Sequence, residues 1–186
     1  DGEKTCVKEI LGELWQRIDV TLLREGEEAR LVFPEHYEEA VENTPARILF
    51  TQHHGSGNNY RQCFYNREAD YRKYDALFYL AKAQDKTEVL TDLAFSRLMY
   101  PVGLTVDAEA EYESYVRAHQ REVLEYLTDR EEMPMLREMA KRDLWERGAL
   151  DAAIDHAARK GRREVLSFLM DEKHRCFPVK RKRYEL

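Results

Sequence analysis

The chain has 186 residues, of which 43 % are hydrophobic and 35 % charged, and its formal net charge is −6. This acidic balance argues against wholesale nucleic-acid binding, and no run approaches the roughly 18 apolar residues that a membrane span needs. The charged fraction is high for a compact sphere and natural for an elongated helical stack, so one domain with an appendage is expected.

In chain order, Val7, Ile10, Leu11, Leu14, Trp15 and Ile18 recur at helical spacing and predict a first helix over Lys4–Val20. Gly26 interrupts the chain after that helix. Leu31–Phe33, closed by Pro34, and Ile48–Thr51 are short apolar runs that predict two strands pairing with each other. Between them, Tyr37, Ala40 and Val41 give Pro34–Asn43 a helical face, which Asn43-Thr44-Pro45 stops. Gln52–Asn59, QHHGSGNN, is polar and without periodicity and reads as a loop. An aromatic cluster comes next: Tyr60, Phe64, Tyr65, Tyr71, Tyr74, Phe78 and Tyr79.

Helical pairs are predicted from Tyr74 onward. Pro101 and Gly103 close the first, and Thr105 or Asp107 caps the next helix. Its inner face carries Tyr112, Tyr115, Val116, His119, Val123, Leu124 and Leu127, and His119-Gln120 stands where a turn would fall, so one long merged helix is expected there. Met133–Ala140 carries a shorter helix. Leu150–Lys173 then reads as two helices joined at Gly161, a residue able to take the left-handed conformation that ends a helix. Lys180–Arg183 forms a basic tail, whose expected state is a solvated terminus.

One six-residue pattern, E-V-L-x-x-L, occurs at Glu88–Leu93, Glu122–Leu127 and Glu164–Leu169, spaced by 34 and 42 residues. Tyr74–Phe78 and Ala81 precede the first copy much as Leu150–Ile154 and Ala157 precede the last. Self-similarity at such periods is the signature of a helical solenoid. The string A-x-x-x-A-A-x-x-G-x-x-E-V-L-x-x-L-M resembles the helix pair of a divergent ankyrin repeat. More narrowly, Arg147–Ala149 through His174–Pro178 resembles the C-terminal end of ankyrin-like proteins common in Firmicutes. The resemblance covers about 72–177, without the T-P-L-H turn, and with Asp85 where the first copy's turn glycine would fall. It implies stacked helix pairs and a role in protein–protein interaction.

Chemical motifs are sparse. His53-His54 with Cys63 is a metal-ligand reading that lacks the C-x-x-C or H-x-x-x-H spacing of strong zinc signals, although His36, His53 and His54 could converge in space. Gly55-Ser56-Gly57 has no lysine after it, so it fails the Walker pattern, and Tyr60 stands where the dinucleotide pattern needs glycine. Three separated cysteines, Cys6, Cys63 and Cys176, read as free thiols in a reducing compartment, hence a cytoplasmic location. The sequence therefore predicts a mainly α fold of stacked antiparallel helix pairs, an ankyrin-like α-solenoid. A less regular N-terminal capping segment (1–71, with the loop 52–59) is expected to hold two short strands, followed by repeats over 72–177 and a basic tail at 178–186. The expected function is a non-enzymatic scaffold for a protein partner, with no catalytic residue, cofactor or metal assigned. Tyr60, Arg61, Phe64, Tyr65 and Arg67 are its candidate partner-binding residues, since tyrosine and arginine are favoured at interaction hot spots. Packing of the same tyrosines against the first helical pair, with their hydroxyls at the surface, is the plainer and preferred reading. The alternative function is a metal- or nucleotide-dependent enzyme centred on His53, His54 and Cys63.

Overall fold

The computed structural model describes residues 7–43, 48–65 and 68–178. Helices dominate them, joined by short antiparallel hairpins, and the chain divides into two compact units, 1–112 and 113–186. The stop at Asn43-Thr44-Pro45, Cys6, Arg67 and the tail Lys180–Arg183 fall wholly or partly outside the described residues.

The first unit opens with α1, Val7–Glu13, and the helix expected up to Val20 gives way to β1, Ile18–Arg24. Ile18, Val20 and Leu22 share one half-buried face, a period of two that overlaps the helical stripe at Ile18. The outcome is decided by a partner that lies further on, β2, Glu27–Phe33. The two strands join through Glu25 and Gly26, both at positive φ (52° and 88°), the conformation that a two-residue hairpin turn requires. Ala29, Leu31 and Phe33 face the core, and Tyr74 closes the free edge of β2: its hydroxyl donates to the Val32 carbonyl (2.6 Å) and accepts from the Val32 amide (2.9 Å).

The predicted pairing of Leu31–Phe33 with Ile48–Thr51 is not the one formed. Pro34–Asn43, expected to be helical, supplies β3, Tyr37–Asn43, and this strand pairs with β4, Ile48–His54, in register Tyr37↔His54 to Asn43↔Ile48. Tyr37, Ala40 and Val41 fit a helix locally; a β-rich complement in ILFTQHH overrides that preference. The polar stretch 52–59 is accordingly split between the end of β4 and α2, Gly57–Arg61. A short hairpin comes after it, β5 (Phe64–Tyr65) with β6 (Glu68–Ala69).

Helices α3 (Tyr71–Ala76), α4 (Phe78–Gln84) and α5 (Thr87–Met99) complete this unit with the first part of α6 (Val106–Ala118). Every residue of Leu90–Leu98 is buried, so α5 is the central helix rather than an amphipathic one. Its Arg97 is fully buried and forks onto Asp75 (Nε–Oδ1 2.7 Å, Nη2–Oδ2 3.1 Å), which also accepts from the Tyr112 hydroxyl at 2.9 Å. Arg97 further donates to the carbonyls of Tyr100 and Val102, so four of its five donors are met and the buried charge is paired. Thr105 caps α6 through the Ala108 amide (3.3 Å).

In the second unit, α6 and α7 (Gln120–Arg130) do not merge, because His119 leaves helical geometry at φ −112°, ψ 24°. Then come α8 (Met133–Lys141), α9 (Arg147–Lys160) and α10 (Arg163–Cys176). The three repeated strings fall on α5, α7 and α10. The α7/α8 turn and the α9/α10 turn are built alike: Glu131 and Gly161 are left-handed (φ 55° and 70°), and the next amide bonds back to Leu127 or Ala157. Polar groups tie one turn to the other. Arg162 Nη1 pairs with Glu131 (2.5 Å), and His156 Nε2 meets Asp129 at 2.9 Å. The apolar side of these helices, Val123, Leu127, Leu136, Met139, Ala153, Ala157, Val165 and Leu169, is buried. No helix among the described residues is long and apolar enough to cross a membrane.

Candidate interaction surface

The residues proposed from sequence as a binding patch are placed mostly inside. Tyr60 and Phe64 are 0 % and 1 % exposed, because one turn of α2 aims Tyr60 edge-on at Tyr74 (4.7 Å) while Phe64 packs on Phe33 (5.6 Å). Only Tyr65 reaches solvent, and Arg67 lies outside the described residues. The correction is physical: a cluster of aromatics this dense is the core that the N-terminal hairpins share with α3 and α5. Arg61 is buried without a carboxylate partner. Its Nε, Nη1 and Nη2 donate to the carbonyls of Leu11 (2.8 Å), Pro34 (2.8 Å) and Gln16 (2.6 Å). It is a clamp that fixes the chain after α1 beside the chain entering β3.

The glycines of QHHGSGNN serve the same close approach. Gly55 has φ +77°, and a Cβ there would overlap the Glu35 carbonyl oxygen; at Gly57 it would overlap the Pro34 carbonyl oxygen and Arg61 Nη1. Ser56 donates from its hydroxyl to Asp85, with its amide 3.4 Å from the same carboxylate. An incoming phosphate would therefore meet a carboxylate, the opposite of a phosphate cradle. Burial pushes the Asp85 carboxyl up.

His53, His54 and Cys63 do not form a centre. Successive residues of a strand face opposite sides, and the two histidines pair separately with Glu38 (3.3 Å) and Glu39 (3.4 Å) across the ladder. Cys63 is 1 % exposed, and burial pushes its thiol up to about 12, far from a reactive thiolate. Among the described residues no group of three His, Cys, Asp or Glu side chains is placed to hold a metal ion. Cys63 and Cys176 are free cysteines.

What the clamp does present is a surface that sequence reading assigned to helix faces. The His36 amide donates to the Trp15 carbonyl (2.9 Å), and Trp15, His36, Tyr37 and Glu38 line one cleft. Trp15 is 54 % and Tyr37 47 % exposed. Tyr37 lies flat on His54 (centroids 4.6 Å, 15° between planes), so one ring face is covered. Burial, and then the charge of Arg61, lowers the proton affinity of His36. Beyond the cleft runs the β3–β4 hairpin, in which no described side chain is buried and Leu49 is 74 % exposed. The signal available in the sequence was the Tyr37-x-Glu39-x-Val41 alternation, masked by the equally good helical spacing. No family model, curated protein or solved structure matches the chain.

Proposed function

We propose that the protein is a non-enzymatic interaction module that binds another protein, with the cleft and hairpin of the first unit as its contact surface and the α7–α10 helix pairs as stacked, ankyrin-like scaffold. One observation carries this reading. A hairpin of two seven-residue strands stands with none of its described side chains buried, next to a half-exposed tryptophan and tyrosine. An isolated two-stranded hairpin is marginal in water, and exposed Trp and Tyr held on a rigid backbone are what interaction hot spots are made of. Equivalent turns at Glu131 and Gly161 support the repeat part of the reading.

The test is affinity capture from the native host with the intact chain and with a Trp15→Ala, Tyr37→Ala, Leu49→Ser variant whose fold is checked by circular dichroism. The expected result is one protein retained by the wild type and lost from the variant. Retention of the same protein by both baits would overturn the assigned surface, and absence of any retained protein would overturn the function.

A further inference from the structure

Resting on that reading, we propose that the partner is engaged through an extended basic segment, which adds to the β3 edge and sets a lysine or arginine side chain against Trp15 and Tyr37. The argument begins with charge. Glu35 precedes β3, and Glu38, Glu39 and Glu42 lie along it, while neither β3 nor β4 contains a lysine or arginine. Glu38 has His53 opposite at 3.3 Å, and Glu39 meets His54 diagonally at 3.4 Å. Arg61, held by three neutral carbonyls, keeps its charge and acts on His36. With Arg47 in the connection between the strands, it stands against the carboxylates of Glu35, Glu38, Glu39 and Glu42, so the balance along β3 is acidic and complementary to cations.

The aromatic pair is a second, independent observation. The face of an indole or phenol ring carries negative potential and attracts a cation, tryptophan most strongly. Trp15 and Tyr37 stand in one cleft with His36 and the Glu38 carboxylate, and no lysine or arginine is among the lining residues to compete for the rings. Their positions are set by the His36–Trp15 backbone bond, which makes the cleft pre-organised.

The backbone supplies the third. Among the described residues the β3–β4 sheet has two strands and none pairs with the outer edge of β3, which itself carries none of the lysines or prolines that usually protect such an edge. Adding a strand there supplies main-chain hydrogen bonds, and alternate side chains of the added segment then supply specificity. An extended segment alternating basic and β-branched residues matches both features.

The probe is a short fluorescein-labelled peptide of alternating lysine and valine, compared with the same peptide carrying glutamate for lysine, and read by fluorescence anisotropy against the intact chain. Binding of the lysine peptide only is expected. It should weaken about threefold with Trp15→Ala, as a surface cation–π contact implies, and about tenfold or more with Glu38→Gln, Glu39→Gln, Glu42→Gln together, with a shallower salt dependence. Equal binding of both peptides, or binding of neither, overturns the proposal. So does a concentration-dependent dimer blocked by the Leu49→Ser change, which would assign the edge to a second copy. If neither peptide binds while affinity capture still loses its protein in the triple surface variant, the interaction function stands and only the basic-segment inference falls.

Discussion

Arg61 shows how a residue type can be singled out from sequence and its role still be misread. Arginine between aromatics looks like a hot spot, yet its neighbours bury it, and three backbone carbonyls take the place of a partner's carboxylate. Replacing it with Met would leave those carbonyls without donors and is expected to cost about 3 kcal/mol in urea denaturation. Tyr60 gives the opposite case. Its hydroxyl is buried without a hydrogen-bond partner among the described residues, and burial pushes its ionisation well above the ordinary range. Tyr60→Phe is therefore expected to hold or raise stability, by up to about 1 kcal/mol; a loss of that size would show a partner for the hydroxyl. Cys63 should resist alkylation in the native chain while half-exposed Cys176 reacts, which peptide mapping after brief labelling would read out.

At the scale of elements, the helices of the second unit were legible because period and punctuation agree. Ala153, Ala157 and the glycine at 161 mark α9 and its end, and the structure places a left-handed cap there. The N-terminal hairpins were not legible, because their registers depend on residues far apart: Ile18 could close a helix or open a strand until β2 is present. The cap geometry makes a paired prediction. A Cβ at Gly161 meets nothing within 4 Å, so Gly161→Ala tests backbone strain alone and should cost about 1 kcal/mol. Asp143 holds a similar left-handed position (φ 50°), and Asp143→Gly should be neutral or stabilising by about 0.5 kcal/mol, relieving the same strain. Thermal denaturation should show a fall for Gly161→Ala and none for Asp143→Gly; a fall in both would refute the shared geometry.

For the whole molecule, composition spoke to surface and not to site. The high charge fraction fits the polar ladders that link neighbouring turns, and one of them carries a pH dependence. The hydrogen bond from His156, with its charge and that of Lys160, holds the Asp129 carboxyl below the usual range. A depressed folded value means that the contribution is present above the unfolded pKa and is lost as pH falls through the folded one. Asp129→Asn should flatten the acid-side fall of the urea midpoint, and an unchanged slope would contradict the pairing. The site stayed hidden at this scale for a different reason: Trp15 and Tyr37 each look like core positions of a helix, and only the Arg61 clamp and the β3–β4 pairing bring them to one exposed cleft. The most direct measurement is amide hydrogen exchange on the intact chain, alone and bound to the protein that it captures. The account predicts slowed exchange at Trp15 and along Tyr37–Glu42; protection confined to α7–α10, with the hairpin unchanged, would contradict it.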